Sequence, residues 1–192
     1  MAQRFLDDFK PGDVFVSTAQ TLSDKHFAAF AEMTGDRHPI HYDRDYARTK
    51  GWEAPLAHGL LLLGICAIGA APLGEELEDS MVAMLGNDAR YKKPAIIGDT
   101  VTPRFTVVEV KPKDNDRGIL RMAIALVNQR GEIVLEGTHV VMPVSSFAVS
   151  PGLPRIGVTP RYGSSCRCRP MPWPTKEIGG SFISCNLARN AS

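Results

Sequence analysis

An aspartate and a histidine five positions apart, Asp36 and His41, flank a proline in the run Thr34-Gly35-Asp36-Arg37-His38-Pro39-Ile40-His41. A carboxylate beside an imidazole of ordinary pKa about 6.5 can hold a water and move its protons near neutral pH, the equipment of general acid/base chemistry. On a continuous helix, residues five apart would point about 140° away from each other, whereas an irregular bend can bring both to one spot. Pro39 supplies the bend, because it has no amide hydrogen and pushes His38 toward an extended backbone. The same residues have plainer uses. Asp after a glycine commonly caps backbone amides, and His near Pro can simply bond the bend, so spacing alone leaves both readings open. It also leaves open which of the two would be base and which acid, since neighbouring groups titrate together.

His58-Gly59 is the second feature, because it opens an apolar segment. Residues 60–71 contain no charge, and only glycine interrupts the apolar run. A helix there is hydrophobic on every face and is expected to be buried. Its length, about 18 Å, is too short for a membrane span of about 20 residues. The first amides of such a helix lack internal partners and carry the positive end of its dipole, which suits a carbonyl oxygen gaining negative charge. Glycine at position 59 admits close approach of a substrate, or equally lets a buried helix pack tightly.

Other elements must position these residues. Pro11-Gly12-Asp13 predicts a turn into a short strand at 14–18. Ser23 offers an N-cap to an amphipathic helix bearing Phe27, Phe30 and Met33, and Gly35 its C-terminal exit. Residues 42–48 read as a further helical turn. Pro72-Leu73-Gly74 is expected to end the apolar helix, with 75–79 an acidic, exposed connection. From Met81 the period changes to two. Strands are predicted at 81–86, 89–92, 101–110, 118–127 and 133–142, with a hairpin turn at Gln129-Arg130-Gly131 and an unprotected edge at 133–142. One greasy helix early and long strands late give an α+β fold, an antiparallel sheet packed on a helix.

The 192 residues are 44% hydrophobic and 22% charged, and the formal charge of +1 argues against the basic surface that duplex nucleic acid demands. After Ser145 the composition shifts. Arg155, Arg161, Arg167, Arg169, Lys176 and Arg189 face one acid, Glu177, and six of the 14 prolines lie there. We therefore expect a folded domain over 1–144 and an unstructured extension over 145–192. Cys166-Arg167-Cys168 lacks a second ligand pair at zinc spacing, so no metal is expected, and Cys66 reads as a small hydrophobe. Asp7 and Asp8 stand where a signal peptide would be apolar, which predicts a cytoplasmic protein.

At these motifs the chain resembles the MaoC-like dehydratases and R-specific enoyl-CoA hydratases, of hot-dog fold. The hydratase pattern Gly-Asp-x-Asn-Pro-(aliphatic)-His stands here as Gly35-Asp36-Arg37-His38-Pro39-Ile40-His41, with Ala47 at the small position beyond it. Pro55-Leu56-Ala57-His58-Gly59, Lys93-Pro94, Gly98-Asp99 and the closing Gly137-Thr138-His139-Val140-Val141-Met142-Pro143 also agree, over roughly residues 5–143. His38 departs from the usual Asn. The resemblance implies an antiparallel sheet wrapped around a central apolar helix, and reversible hydration of a 2-enoyl thioester of coenzyme A or of an acyl carrier protein. It implies Asp36 and His41 as the catalytic pair, Gly59, His58 and His38 at the thioester, and no metal or redox cofactor. It implies a homodimer or dimer of dimers, with Arg90, Lys92 and Lys93 as candidates for the coenzyme A phosphates. Hot-dog thioesterases commonly carry a carboxylate on the central helix, and residues 60–71 have none. A non-catalytic acyl-thioester binding protein is the third possibility, and the intact pair weighs against it.

Overall fold

The computed structural model describes residues 2–113 and 116–148. Ser23 and Gly35 bound the first helix, α1 (Asp24–Thr34), as their types predict. Ser23 is extended, and its amide donates to Nδ1 of His26 at 3.1 Å. Gly35 takes φ 77°, a left-handed exit that a side chain would strain, and its amide donates to the Ala31 carbonyl. Beyond it, Pro39–His41 form one 3-10 turn rather than α-helix. The helix α2 (Arg44–Thr49) then starts under Asp43, whose carboxylate accepts from the amides of Asp45 and Tyr46.

The central helix is shorter than expected. The segment α3 (Gly59–Ile65) is followed by a separate 3-10 turn at Ile68–Ala70 and then α4 (Pro72–Glu76). Pro72 therefore opens a helix instead of closing one, which suits its fixed φ and missing donor. The stretch after it is not all exposed either, for Leu77 is 1% exposed and belongs to the core. Nor is α3 buried all round. Leu62 and Ile65 face inward, but Leu60 is 66% exposed, and with Gly64 and Ala67 it forms an apolar stripe open to solvent.

Six strands make one antiparallel sheet: β1 (Val14–Val16), β2 (Gln20–Thr21), β3 (Met81–Tyr91), β4 (Thr100–Pro112), β5 (Gly118–Asn128) and β6 (Ile133–Pro143). Their order is β1-β4-β5-β6-β3, and β2 also pairs with β4. The expected edge at 133–142 is corrected by this order: β6 lies between β5 and β3, and β3 is the long edge. The two pieces predicted at 81–86 and 89–92 are one strand with two bulges, since Met81 and Ala83 pair with the adjacent Pro143 and Met142, and Met84 and Gly86 with the adjacent Val141 and Val140. Strand β5 alternates as predicted, with Leu120, Met122, Ile124 and Leu126 buried and Arg121 exposed. Those inner residues join Phe105 and Val107 of β4, Leu62 and Ile65 of α3, and Cys66 just after it, in one core. Burial pushes the Cys66 thiol up to about 12, so it packs as a small hydrophobe.

No helix among the described residues is long and apolar enough to cross a membrane. The structure continues past the expected boundary at 144, with a 3-10 turn at Ser146–Ala148 whose first amide donates to the Asp7 carboxylate at 3.0 Å. The rest of the expected extension, residues 149–192 with Cys166, Cys168 and Cys185, lies outside the described residues.

Candidate active site

The bend after α1 and the start of α3 meet. A carboxylate oxygen of Asp36 and one ring nitrogen each from His41 and His58 lie within 4.8 Å of one another. Two polar atoms that share a water at ordinary hydrogen-bond lengths stand about 4.6 Å apart, so the spacing suits one bridging water. The Nδ1 atom of His41 is 2.8 Å from the Leu56 carbonyl oxygen. A carbonyl only accepts, so Nδ1 carries the hydrogen, and Nε2 of the neutral ring is left with a lone pair. Asp36 is exposed, and one of its oxygens accepts from the His38 amide at 3.1 Å. The capping use foreseen for this residue is present, and its carboxylate also lies near the two histidines.

His58, expected on the substrate side, is instead 3% exposed and lies behind His41. The two rings stack with centroids 3.8 Å apart and planes 25° apart, and Phe27 and Phe30 close around His58. Burial holds the His58 pKa below its ordinary value, and the neighbouring His41 lowers it further. A neutral His58 therefore backs the ring of His41. Two histidines and a carboxylate are also a metal donor set. Stacked rings, however, hold their lone pairs in two nearly parallel planes, whereas a metal about 2.1 Å from each nitrogen needs the lone pairs to meet at one point.

Tyr42 completes the arrangement. Its hydroxyl lies 2.9 Å from the Asp36 carbonyl oxygen and 2.9 Å from Nε2 of His58. With its proton given to the carbonyl, the phenol oxygen accepts from the imidazole. Burial and the nearby Asp36 carboxylate raise the Tyr42 pKa, which keeps that proton in place. His38 caps the 3-10 turn, its Nδ1 accepting from the Ile40 amide at 3.3 Å. The side-chain oxygen of the Asn usual at this position can make the same kind of bond, so the exchange preserves the bend.

A profile of the MaoC like domain matches residues 8–127. The chain belongs to the MaoC-like domain family. An (R)-specific enoyl-CoA hydratase of Rhodospirillum rubrum is 31% identical over 138 residues, covering 72% of this chain and 90% of that protein. The crystal structure of a MaoC-like dehydratase from the same organism superposes with a TM-score of 0.65 at 27% identity, over 74% of this chain and 97% of that one. A Mycobacterium tuberculosis protein with a double hotdog fold gives 0.64 at 25% identity, over 91% of this chain and 53% of that one. The sheet and α3 of this MaoC-like domain form a hot-dog fold.

Within the MaoC-like domain, Gly59 has a close neighbour that its sequence context did not reveal. A Cβ there would fall 2.6 Å from the ring of Tyr91, at the end of β3. Arg90, Lys92 and Lys93 stand beside Tyr91, half-exposed or more, and each already has a carboxylate: Asp88 at 3.9 Å, Glu136 at 3.0 Å and Glu132 at 2.5 Å. Glu132 also accepts from Asn128 and Arg130, and the set of donors holds its pKa down to about 2. A phosphate would have to compete with these acids. Sequence reasoning missed Tyr42, for which only its place directly after His41 gave a signal. It also missed the Leu56 carbonyl, a backbone group without a signature.

Proposed function

We propose that this MaoC-like domain is a hydro-lyase that adds water reversibly to a 2-enoyl thioester, giving the 3-hydroxyacyl thioester. The observation that carries the reading is that a carboxylate oxygen of Asp36 and a ring nitrogen of His41 lie within 4.8 Å, a separation one water can bridge, with the His41 tautomer fixed by Leu56. The neutral His41 Nε2 accepts a proton as the water oxygen bonds to C3, and a proton returns to C2 through the same pair, so one water supplies both atoms. Ionised Asp36 orients the water and stabilises the imidazolium while it lasts. The amide of Gly59, first residue of α3, is the proposed donor to the thioester oxygen. Proton transfer suffices for this chemistry, so we assign no metal or redox cofactor. The similarity to an enoyl-CoA hydratase supports coenzyme A as the carrier. We propose Arg90, Lys92 and Lys93 as the cations that meet its phosphates, in exchange for the carboxylates they now pair with.

The assembly we propose is a homodimer. Val82, Met84 and Leu85 on the edge strand β3 are each more than two-fifths exposed, and Leu60 of α3 lies open as well. An edge with unpaired backbone groups and apolar side chains calls for a second copy to cover it. The activity is tested by following the ultraviolet absorbance of an enoyl-CoA together with free thiol. Loss of the conjugated absorbance without thiol supports hydration, and release of thiol would mean a thioesterase.

A further inference from the structure

Asp99 takes no part in the proposed proton transfers, yet it is 3% exposed. A carboxylate buried so deeply is costly unless donors surround it. Its Oδ2 accepts from the Ile96 amide at 3.0 Å, and its Oδ1 accepts from Nε2 of Gln129 at 2.6 Å and from Nη1 of Arg130 at 3.2 Å. The backbone of Asp99 is used as well. Its amide donates to the Ile96 carbonyl at 3.1 Å, and its carbonyl accepts from the amide of Leu22, the residue before the N-cap of α1, at 2.8 Å. One residue thus ties the hairpin after β5, the turn over 96–99 and the start of α1 together.

That turn carries Leu56. Leu56 pairs antiparallel with Ile96, and to either side the Ala57 amide donates to the Ala95 carbonyl at 2.8 Å and the Ile97 amide to the Pro55 carbonyl at 3.1 Å. A pairing this short is placed by whatever fixes its partner segment, and Ile96 is the residue whose amide Asp99 holds. Leu56 in turn is bonded to the catalytic bend twice. Its amide donates to the Ile40 carbonyl at 3.1 Å, and its carbonyl oxygen lies 2.8 Å from Nδ1 of His41. Every link from the Asp99 carboxylate to the His41 ring is therefore a hydrogen bond or a single residue of backbone.

We infer that Asp99 is a positioning residue for the proposed hydration: through Ile96 it sets the Leu56 carbonyl, and through that carbonyl the direction and tautomer of the His41 ring. The effect on rate rests on the hydratase reading, whereas the effect on the ring does not. Gln129 and Arg130 hold the carboxylate from one side, which leaves Oδ2 turned to Ile96. An Asn at position 99 keeps the shape but has one acceptor only. Facing Gln129 and Arg130 with it, Asn sets its NH2 against the Ile96 amide, donor to donor. Facing Ile96 with it, Asn sets the NH2 against Arg130, which has donors alone.

The test is nitrogen-15 NMR of the intact protein at about pH 8, where imidazoles are neutral and the two ring nitrogens report which one carries the hydrogen. The His41 signals are assigned by their loss in His41→Ala. The parent is expected to show a fixed Nδ1–H ring, and Asp99→Asn a mixture of the two tautomers. In the same variant kcat for a plain enoyl-CoA should fall about ten- to hundredfold with KM within about twofold, the pattern of misplacement without lost binding. Arg130→Gln, at an exposed position, keeps the test available if Asp99→Asn does not fold; it removes one donor from Asp99 and should move both readouts the same way, with kcat down about threefold. A purely structural Asp99 would lower the melting temperature and leave the tautomer and kcat of the folded protein as they are. That result would overturn the inference, as would a changed tautomer beside an unchanged kcat. A parent that does not hydrate enoyl-CoA removes the hydratase reading, and a tautomer that still shifts in Asp99→Asn upholds the path from Asp99 to His41.

Discussion

At the scale of residues, the candidate site is the proposed catalytic pair with a support behind it. Asp36 and His41 face outward, while His58 and Tyr42 hold the His41 ring and the Asp36 backbone from within. Tyr42→Phe should therefore lower kcat about ten- to hundredfold through misplacement, with a smaller change in KM. It should also cost about 1–3 kcal/mol of stability, because Nε2 of His58 loses its partner; steady-state kinetics and denaturant unfolding read the two effects. Protonation gives a second prediction. His58 and His139 are both held below the ordinary value of 6.5, chiefly by burial. The unfolded chain binds their protons as pH falls through about 6.5, and the native chain only at lower pH, so the unfolded state carries more protons in between. The melting temperature should be at its plateau above about pH 7 and fall on acidification through about pH 6. A melting temperature that rose over that range would contradict the buried, neutral state of these rings.

At the scale of elements, legibility in the sequence tracked the locality of the cause. Ser23, Gly35 and Pro39 act within a few residues, and α1 with the bend after it stands where they predict. The alternation of β5 was equally readable, because one of its faces is core and the other is not. Strand β3 is predicted as two pieces because Asn87 and Asp88 are poor strand formers, and it is the pairing with β6 that carries the strand through them. The division of the apolar helix was likewise hidden. A Cβ on Gly74 would lie 2.7 Å from the Ile68 carbonyl oxygen, so α4 crosses the preceding turn at close range, a tertiary fact without a local marker. The contact of Gly59 with Tyr91 is another such fact, joining α3 to the end of β3, and it yields a prediction. Gly59→Ala and Tyr91→Ala should be non-additive in unfolding free energy by about 0.5–3 kcal/mol, since the second change makes room for the first. Additive effects in a double-mutant cycle would show that the two do not touch.

At the scale of the molecule, the apolar face made by α3 and the edge strand is the surface that the proposed second copy covers. Light scattering is expected to find a dimer, and Leu85→Lys on the bulged edge should shift it toward monomer, with activity falling as dissociation proceeds on dilution. A monomer with full activity would separate the site from the assembly. The central claim is that Asp36 and His41 together add one water across the double bond of an enoyl thioester. The most direct measurement is the rate of loss of enoyl-CoA absorbance in the parent protein, Asp36→Asn and His41→Ala, with circular dichroism confirming that all three are folded. Each substitution is predicted to slow hydration by about 10²- to 10⁴-fold without release of thiol. Near-parental hydration by either folded variant would contradict the account.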